Sequence, residues 1–203
     1  MANTALRNFR LTLWVLVAVA GLSSTWLFLR PEPPAAQQVV TDSLGQGDYE
    51  LVTHDGQAFD QSSLVGQPSL VFFGFTHCPD VCPTTMGDIA MWVEELGPLA
   101  EPLRVFMLTV DPERDTPEVL ADYVGWIPGA QGVTGPPPEM RKALAAFRIY
   151  ASRVELDEGG YTMDHSAYVM LFDSQGRYDQ IFSYQQDDEE VIARLRTLLE
   201  AET

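Results

Sequence analysis

Two continuous apolar runs, Ser69–Phe75 and Leu103–Val110, flank a stretch whose apolar residues recur at helical spacing, and this order of elements constrains the fold most. Runs of that length, rich in β-formers and without polar alternation, suit strands buried on both faces. Between them Met86, Ile89, Ala90, Val93 and Leu96 share one helical face, and Pro83 suits the first turn, where its missing N–H costs nothing. The loop between the first strand and this helix holds both cysteines of the chain, Cys78 and Cys82, four residues apart.

Other segments extend the pattern. Tyr49–Thr53 and Gln57–Asp60 flank the turn His54-Asp55-Gly56 and predict an opening hairpin. Thr116-Pro117-Glu118 is a cap followed by proline, opening a helix to about Trp126. Residues 129–138 form a loop region with one short strand, Glu139–Phe147 a helix, and Ile149–Leu156 a strand. After the acidic loop 157–160, the strand Ser166–Phe172 turns through 174–177 into Tyr178–Tyr184, and the amphipathic helix Asp187–Leu199 closes the chain with acids at its N-terminal end. Such a succession predicts an α/β fold with a central mixed sheet flanked by helices. In that class the loops between strand and helix tend to carry function, which directs attention to the cysteines.

Composition separates the N-terminus from the rest. Leu11–Leu29 is nineteen residues without a charge, preceded by Arg7 and Arg10 and followed by Arg30 and Glu32. That length suffices for one membrane-spanning helix, and the arginines before it favour a cytoplasmic N-terminus, with the following domain on the outer side. A cleaved signal peptide ending near Ala18-Val19-Ala20 is the alternative, but the apolar run resumes at Trp26-Leu27-Phe28-Leu29 and favours a retained anchor. The organisation read here is therefore a tail and anchor over residues 1–30, a Pro-rich spacer over 31–43 and one domain over 44–203. All 29 acidic residues follow Arg30, against nine of the 12 basic ones, so residues 31–203 carry a formal charge of −20. Such a domain should avoid nucleic acid and anionic lipid. A short arginine-bearing start directly before the apolar run suits a single-pass protein of a bacterial inner membrane, with its domain in the periplasm.

Two thiols at this spacing can close a redox disulfide or bind one soft metal ion such as Cu(I). Cys82 lies just before or at a helix N-terminus, which favours a thiolate, so at least one of the two cysteines is expected to ionise more readily than a free thiol. His165 is a candidate third donor, and an imidazole beside two thiolates suits copper in either oxidation state. Around these, His77, Asp80, Asp111 and Asp164 are candidates to orient the ligands, each with an ordinary alternative role as a solvated, turn or helix-start residue. A disulfide oxidoreductase is the competing reading. Most such sites keep two residues between the cysteines, and most place a proline before the facing strand where this chain has Asp164-His165-Ser166.

The segments FGFTHCPDVCP (Phe73–Pro83), VDPERDTPE (Val110–Glu118) and DHSAYVMLFD (Asp164–Asp173) together resemble the Sco/SenC family of copper metallochaperones, in order and spacing. The resemblance implies a thioredoxin-like fold behind an N-terminal membrane anchor. It also implies a copper-transfer protein, not an enzyme in the ordinary sense, that serves the binuclear copper centre of cytochrome c oxidase subunit II. By position it makes Cys78, Cys82 and His165 the ligands of Cu(I) and Cu(II), with Asp111 in a supporting role. An upstream copper donor or thiol reductant is the further partner implied. Family members divide between delivering copper, reducing the acceptor's cysteines and redox signalling, and all three uses draw on the same residues.

Overall fold

The computed structural model describes residues 43–202 together with Leu13, Trp14, Leu16, Val17, Val19 and Gly21. The chain divides into two units, Met1–Gln38 and Val39–Thr203. In the first, the described residues are helical and their apolar side chains are exposed. Most of the nineteen-residue run lies outside the described residues, among which no helix is long and apolar enough to cross a membrane.

The second unit is built on a seven-stranded mixed sheet. Its strands are β1 (Leu51–Thr53), β2 (Ala58–Phe59), β3 (Ser69–Gly74), β4 (Arg104–Thr109), β5 (Ala130–Thr134), β8 (Tyr168–Phe172) and β9 (Tyr178–Ser183), in spatial order β2-β1-β5-β4-β3-β8-β9. β6 (Ala151–Glu155) and β7 (Tyr161–His165) pair only with each other as an antiparallel ribbon. The helices are α1 (Val81–Leu96), α2 (Pro117–Val124), α3 (Pro137–Ala146) and α4 (Asp188–Ala201).

β3, β4 and β5 are parallel neighbours, with Leu70 opposite Val105 and Val105 opposite Ala130. Parallel strands need crossovers, and α1 and α2 supply them. Both connections step in the same direction along the sheet and both are right-handed by the general rule, so α1 and α2 lie on one face. β3 is buried along its whole length. Its alternation divides the core: Phe72 and Gly74 face the Cys82 side, while Phe73 packs at a tilt against Phe147, which in turn meets Phe172 and Tyr49. Each fully buried phenylalanine contributes roughly 2–3 kcal/mol of transfer free energy. On the α1 side, the Trp92 indole N–H donates to Asp188 at 2.8 Å, joining α1 to α4.

Local signals explain the element ends. Thr116 accepts the Val119 N–H and Pro117 follows it, as the cap-then-proline signal requires. Asp187 caps α4 by accepting the Glu190 N–H, with Asp188, Glu189 and Glu190 in its first turn. A 3-10 turn at Gln61–Leu64, held by a capping box between Asp60 and Ser63, is an element that the sequence reading does not contain; it drives Leu64 into the core. A second difference lies at β7, where Tyr161–His165 is a strand and not part of the lead into β8.

Candidate metal and thiol site

The site lies where β3 ends and α1 begins. Phe75 is buried, and the chain then turns through Thr76–Asp80 before α1 starts at Val81, one residue ahead of the second cysteine. Asp80 is the N-cap residue by backbone position, but its side chain makes no capping bond and is exposed. Both cysteines are free thiols. Cys82 is fully buried, whereas Cys78 is half-buried above it, its Sγ accepting the Cys82 N–H at 3.4 Å. Gly74 leaves the space that Cys82 occupies: a Cβ there would come within 2.6 Å of the Phe72 ring and 3.1 Å of Cys82 Sγ.

Three side chains fix the loop to the sheet. The carboxylate of Asp115, shut off from solvent, accepts the Thr76 N–H at 3.1 Å, the Thr76 hydroxyl at 2.6 Å and the Thr109 hydroxyl at 2.6 Å. Thr109 closes the set by accepting the Asp111 N–H at 2.8 Å. A buried carboxylate is tolerable only when its lone pairs are filled, and here three donors fill them. His77 points outward, with Nδ1 3.1 Å from the Thr76 hydroxyl and 3.9 Å from Asp115. It thus borders the tether and makes no contact with either sulfur among those described.

The ribbon brings the histidine. β7 ends at His165, whose Nε2 lies 3.5 Å from Cys82 Sγ. Its ring stands edge-on to Phe75 and Phe72, with centroids 5.8 and 6.4 Å away. His165 Nδ1 is 2.9 Å from the Ser166 carbonyl oxygen. A carbonyl only accepts, so in the neutral ring Nδ1 carries the proton and Nε2 presents its lone pair to Cys82. Burial lowers the His165 pKa, opposed by the Ser166 carbonyl and the Asp164 charge, so the neutral ring is favoured. Asp164 itself faces solvent on the other side of the strand.

Asp111 acts at one remove. Buried, it accepts the Tyr161 hydroxyl at 2.9 Å and forms an ion pair with the Arg114 Nε. Arg114 also donates to the Tyr161 carbonyl at 3.0 Å, and the Tyr161 ring carries Arg114 and Arg153 at 3.8 and 3.6 Å from its centroid. Tyr161 begins the strand that His165 ends, so the Asp111–Tyr161 bond ties the ribbon to the loop after β4. Asp115, Thr76, Tyr161 and Arg114 were not picked out from the sequence. The DPERD run did contain Asp115 and Arg114, but their partners lie 39 and 47 residues away.

Electrostatics bears on the expected ionisation. At Cys82 burial pushes the thiol up, opposed by a backbone hydrogen bond at Phe75, so the helix start does not make this cysteine the readily ionised one. Desolvation outweighs the dipole because the sulfur sits beneath the helix end, away from water. Among the described residues no three His, Cys, Asp or Glu side chains are already assembled to hold a metal ion. What stands ready is a buried thiol against an imidazole lone pair, with a second, more accessible thiol beside it. That donor set can accept a soft cation with release of the thiol protons, or close a disulfide.

A mixed sheet with this strand order and a thiol pair at the start of α1 defines a thioredoxin-like α/β protein. A family model described as SCO1/SenC matches residues 38–200, and the chain belongs to that family. An SCO2-like protein of Rickettsia felis is 33% identical over 191 residues, covering 90% of this chain and 93% of its own length. The solved structure of Bradyrhizobium japonicum ScoI with copper bound is 38% identical with a TM-score of 0.69, over 75% of this chain and 99% of that one. BsSco, described in connection with a disulfide switch and as a member of the Sco family of cytochrome c oxidase assembly proteins, is 22% identical with a TM-score of 0.59, over 80% of this chain and 99% of that one; that likeness is one of fold.

Proposed function

We propose that this protein is a copper metallochaperone that holds Cu(I) between Cys78 and Cys82, with His165 completing the site, and delivers it to the binuclear copper centre of cytochrome c oxidase subunit II. The observation that carries the reading is the approach of the His165 Nε2 lone pair to the Cys82 sulfur at 3.5 Å. Copper bound in the B. japonicum relative, which is 38% identical, supports the choice of cargo. Two sulfurs and a neutral imidazole form a soft donor set that suits Cu(I), and the imidazole extends it to Cu(II).

The difference in exposure gives the two thiols different tasks. Cys78, half-buried at the surface, is where an incoming or outgoing cysteine of a partner reaches the ion. Cys82 and His165, deeper, hold it until exchange is complete. Asp111 and Asp115 keep the ribbon and the loop in register during that exchange. Residues 11–29 serve as a single-pass anchor in a bacterial inner membrane, with the domain in the periplasm. The exposed helical side chains of Leu13, Trp14, Leu16 and Val17 support this part of the reading.

A second reading, a thiol-disulfide reductant of the acceptor's cysteines, is favoured by the same exposed-over-buried pair of free thiols. The two separate when the full-length reduced protein, loaded with copper, is mixed with a soluble copper domain of subunit II. Copper recovered on the re-isolated acceptor, its thiols reduced beforehand, supports delivery. Thiol-disulfide exchange without copper transfer would replace delivery by reduction.

A further inference from the structure

The ribbon that carries His165 has an outer face the fold does not cover. Tyr150, Val154 and Leu156 are 59%, 43% and 49% exposed. Backbone pairing extends the ribbon past β6 at both ends: the Ser166 N–H donates to the Tyr150 carbonyl at 3.0 Å, and the Leu156 N–H to the Gly160 carbonyl at 3.1 Å. Successive side chains of a strand point to opposite faces, so Tyr150, Ser152, Val154 and Leu156 form one row roughly 20 Å long. The register puts Thr162 and Asp164 of β7 on the same face. On the opposite face Ala151, Arg153, Tyr161 and Met163 line a cavity together with Pro137 and Met140 of α3. The ribbon thus turns one face to the domain and the other to solvent. Exposed apolar residues scattered singly are ordinary, whereas three in a row on one face mark a surface for a partner.

Charge says which partner. Asp157 and Glu158 follow Leu156 at the tip of the ribbon, Asp164 lies opposite Ser152, and all three are exposed. The ribbon's own cation, Arg153, is engaged by Glu113 and Glu155, and no ion pair among the described residues neutralises Asp157, Glu158 or Asp164. A second copy seated on this face about a two-fold axis would set those acids against their own counterparts. An anionic membrane or a nucleic acid meets the same repulsion, in a domain whose formal charge is already −20 over residues 31–203. A protein surface with an apolar centre ringed by lysines or arginines fits both the row and its acidic rim. β7 ends at His165, whose Nε2 is 3.5 Å from Cys82 Sγ, so a protein seated there lies along the element that brings the histidine to the thiols.

We propose that the outer face of the β6–β7 ribbon is the docking surface for the copper acceptor, which meets Val154 and Leu156 with apolar side chains and the acids with basic ones. The inference rests on the copper reading of the site. The acids steer the acceptor in, the apolar row fixes its seat, and the metal ligands stay free to exchange.

The test measures binding of the full-length reduced protein to a fluorescently labelled soluble copper domain of subunit II, by anisotropy at low and high salt. Stoichiometric Cu(I) binding is titrated separately on each variant. We expect Val154→Ser/Leu156→Ser to bind the domain at least about tenfold more weakly, because two apolar side chains leave the contact. Its copper affinity and melting temperature should stay at wild-type values, since both side chains are exposed and face away from the cavity. Asp157→Asn/Glu158→Gln should flatten the salt dependence of binding. Val65→Ser, at an equally exposed position before β3 and at the other end of the sheet, should bind as wild type does. No binding by the wild type, undiminished binding by V154S/L156S, an equal loss in V65S or indifference to salt would each overturn the inference alone. Self-association of the wild type that V154S/L156S abolishes would give the face to a second copy and overturn it too. Absence of stoichiometric copper in the wild type would instead overturn the reading of the site, and this inference with it.

Discussion

Asp115→Ala is the substitution that should most damage the scaffold of the site without touching a candidate ligand. Asp115 has no exposed surface and accepts three hydrogen bonds, two from Thr76 and one from Thr109. Hydrogen bonds to a charged acceptor contribute about 1.5 kcal/mol each at the lower end, so deleting the carboxylate removes about 4–5 kcal/mol. The carboxylate's own desolvation is relieved at the same time, which returns part of this and leaves a loss of about 3 kcal/mol. With a urea slope of roughly 2 kcal/mol per M, the unfolding midpoint should fall by about 1.5 M. Thr109→Val, which removes one donor to the carboxylate and the acceptor of the Asp111 N–H, should cost about 2 kcal/mol and provides the scale. Urea unfolding of both variants, followed by circular dichroism, measures the effect. A D115A midpoint within the T109V shift would refute the claim that this carboxylate ties the cysteine loop to the sheet.

Gly74→Ala places a methyl 2.6 Å from the Phe72 ring and 3.1 Å from Cys82 Sγ, and should destabilise the fold by about 1–3 kcal/mol through overpacking; an unchanged denaturation midpoint would contradict the close approach. Iodoacetamide should alkylate half-buried Cys78 well before fully buried Cys82, as mass spectrometry of timed digests would reveal, and equal rates would contradict the difference in burial. Asp60 is held below the usual carboxylate range, chiefly by the Ser62 hydroxyl. Its folded-state pKa is depressed, so its contribution to stability is complete above its unfolded value of about 3.8 and is lost as pH falls through the lower folded one. Asp60→Asn should therefore flatten the acid side of the stability profile there, and an identical acid slope in the variant would exclude the linkage.

Where local chemistry sufficed, the sequence reading and the structure agree. The apolar run ending at Gly74 and Phe75, the helical stripe Met86–Ile89–Leu96 and the Thr116-Pro117 start each carry their own signal, and each lies where expected. β7 was missed although Tyr161, Met163 and His165 alternate with Thr162 and Asp164. Five residues after a double glycine are too few to separate a strand from a loop, and pairing with β6 decides the matter. The Asp115 network was hidden for a related reason, since its partners Thr76 and Thr109 come from two segments, the loop after β3 and the end of β4, that only the parallel pairing of β3 with β4 brings together. Cys82 shows the limit of reading a helix terminus from position alone: dipole and burial oppose one another there, and only the fold reveals that burial prevails.

The central claim concerns what the two thiols and the imidazole hold. Anaerobic titration of the reduced full-length protein with Cu(I) against a competing chelator, in wild type, Cys78→Ala, Cys82→Ala and His165→Ala, tests it most directly. The account predicts one tightly held copper per wild-type chain and loss of stoichiometric binding in either cysteine variant. In the histidine variant it predicts an effect chiefly on Cu(II). Full affinity in either cysteine variant, or only weak and non-stoichiometric binding by the wild type, would contradict it.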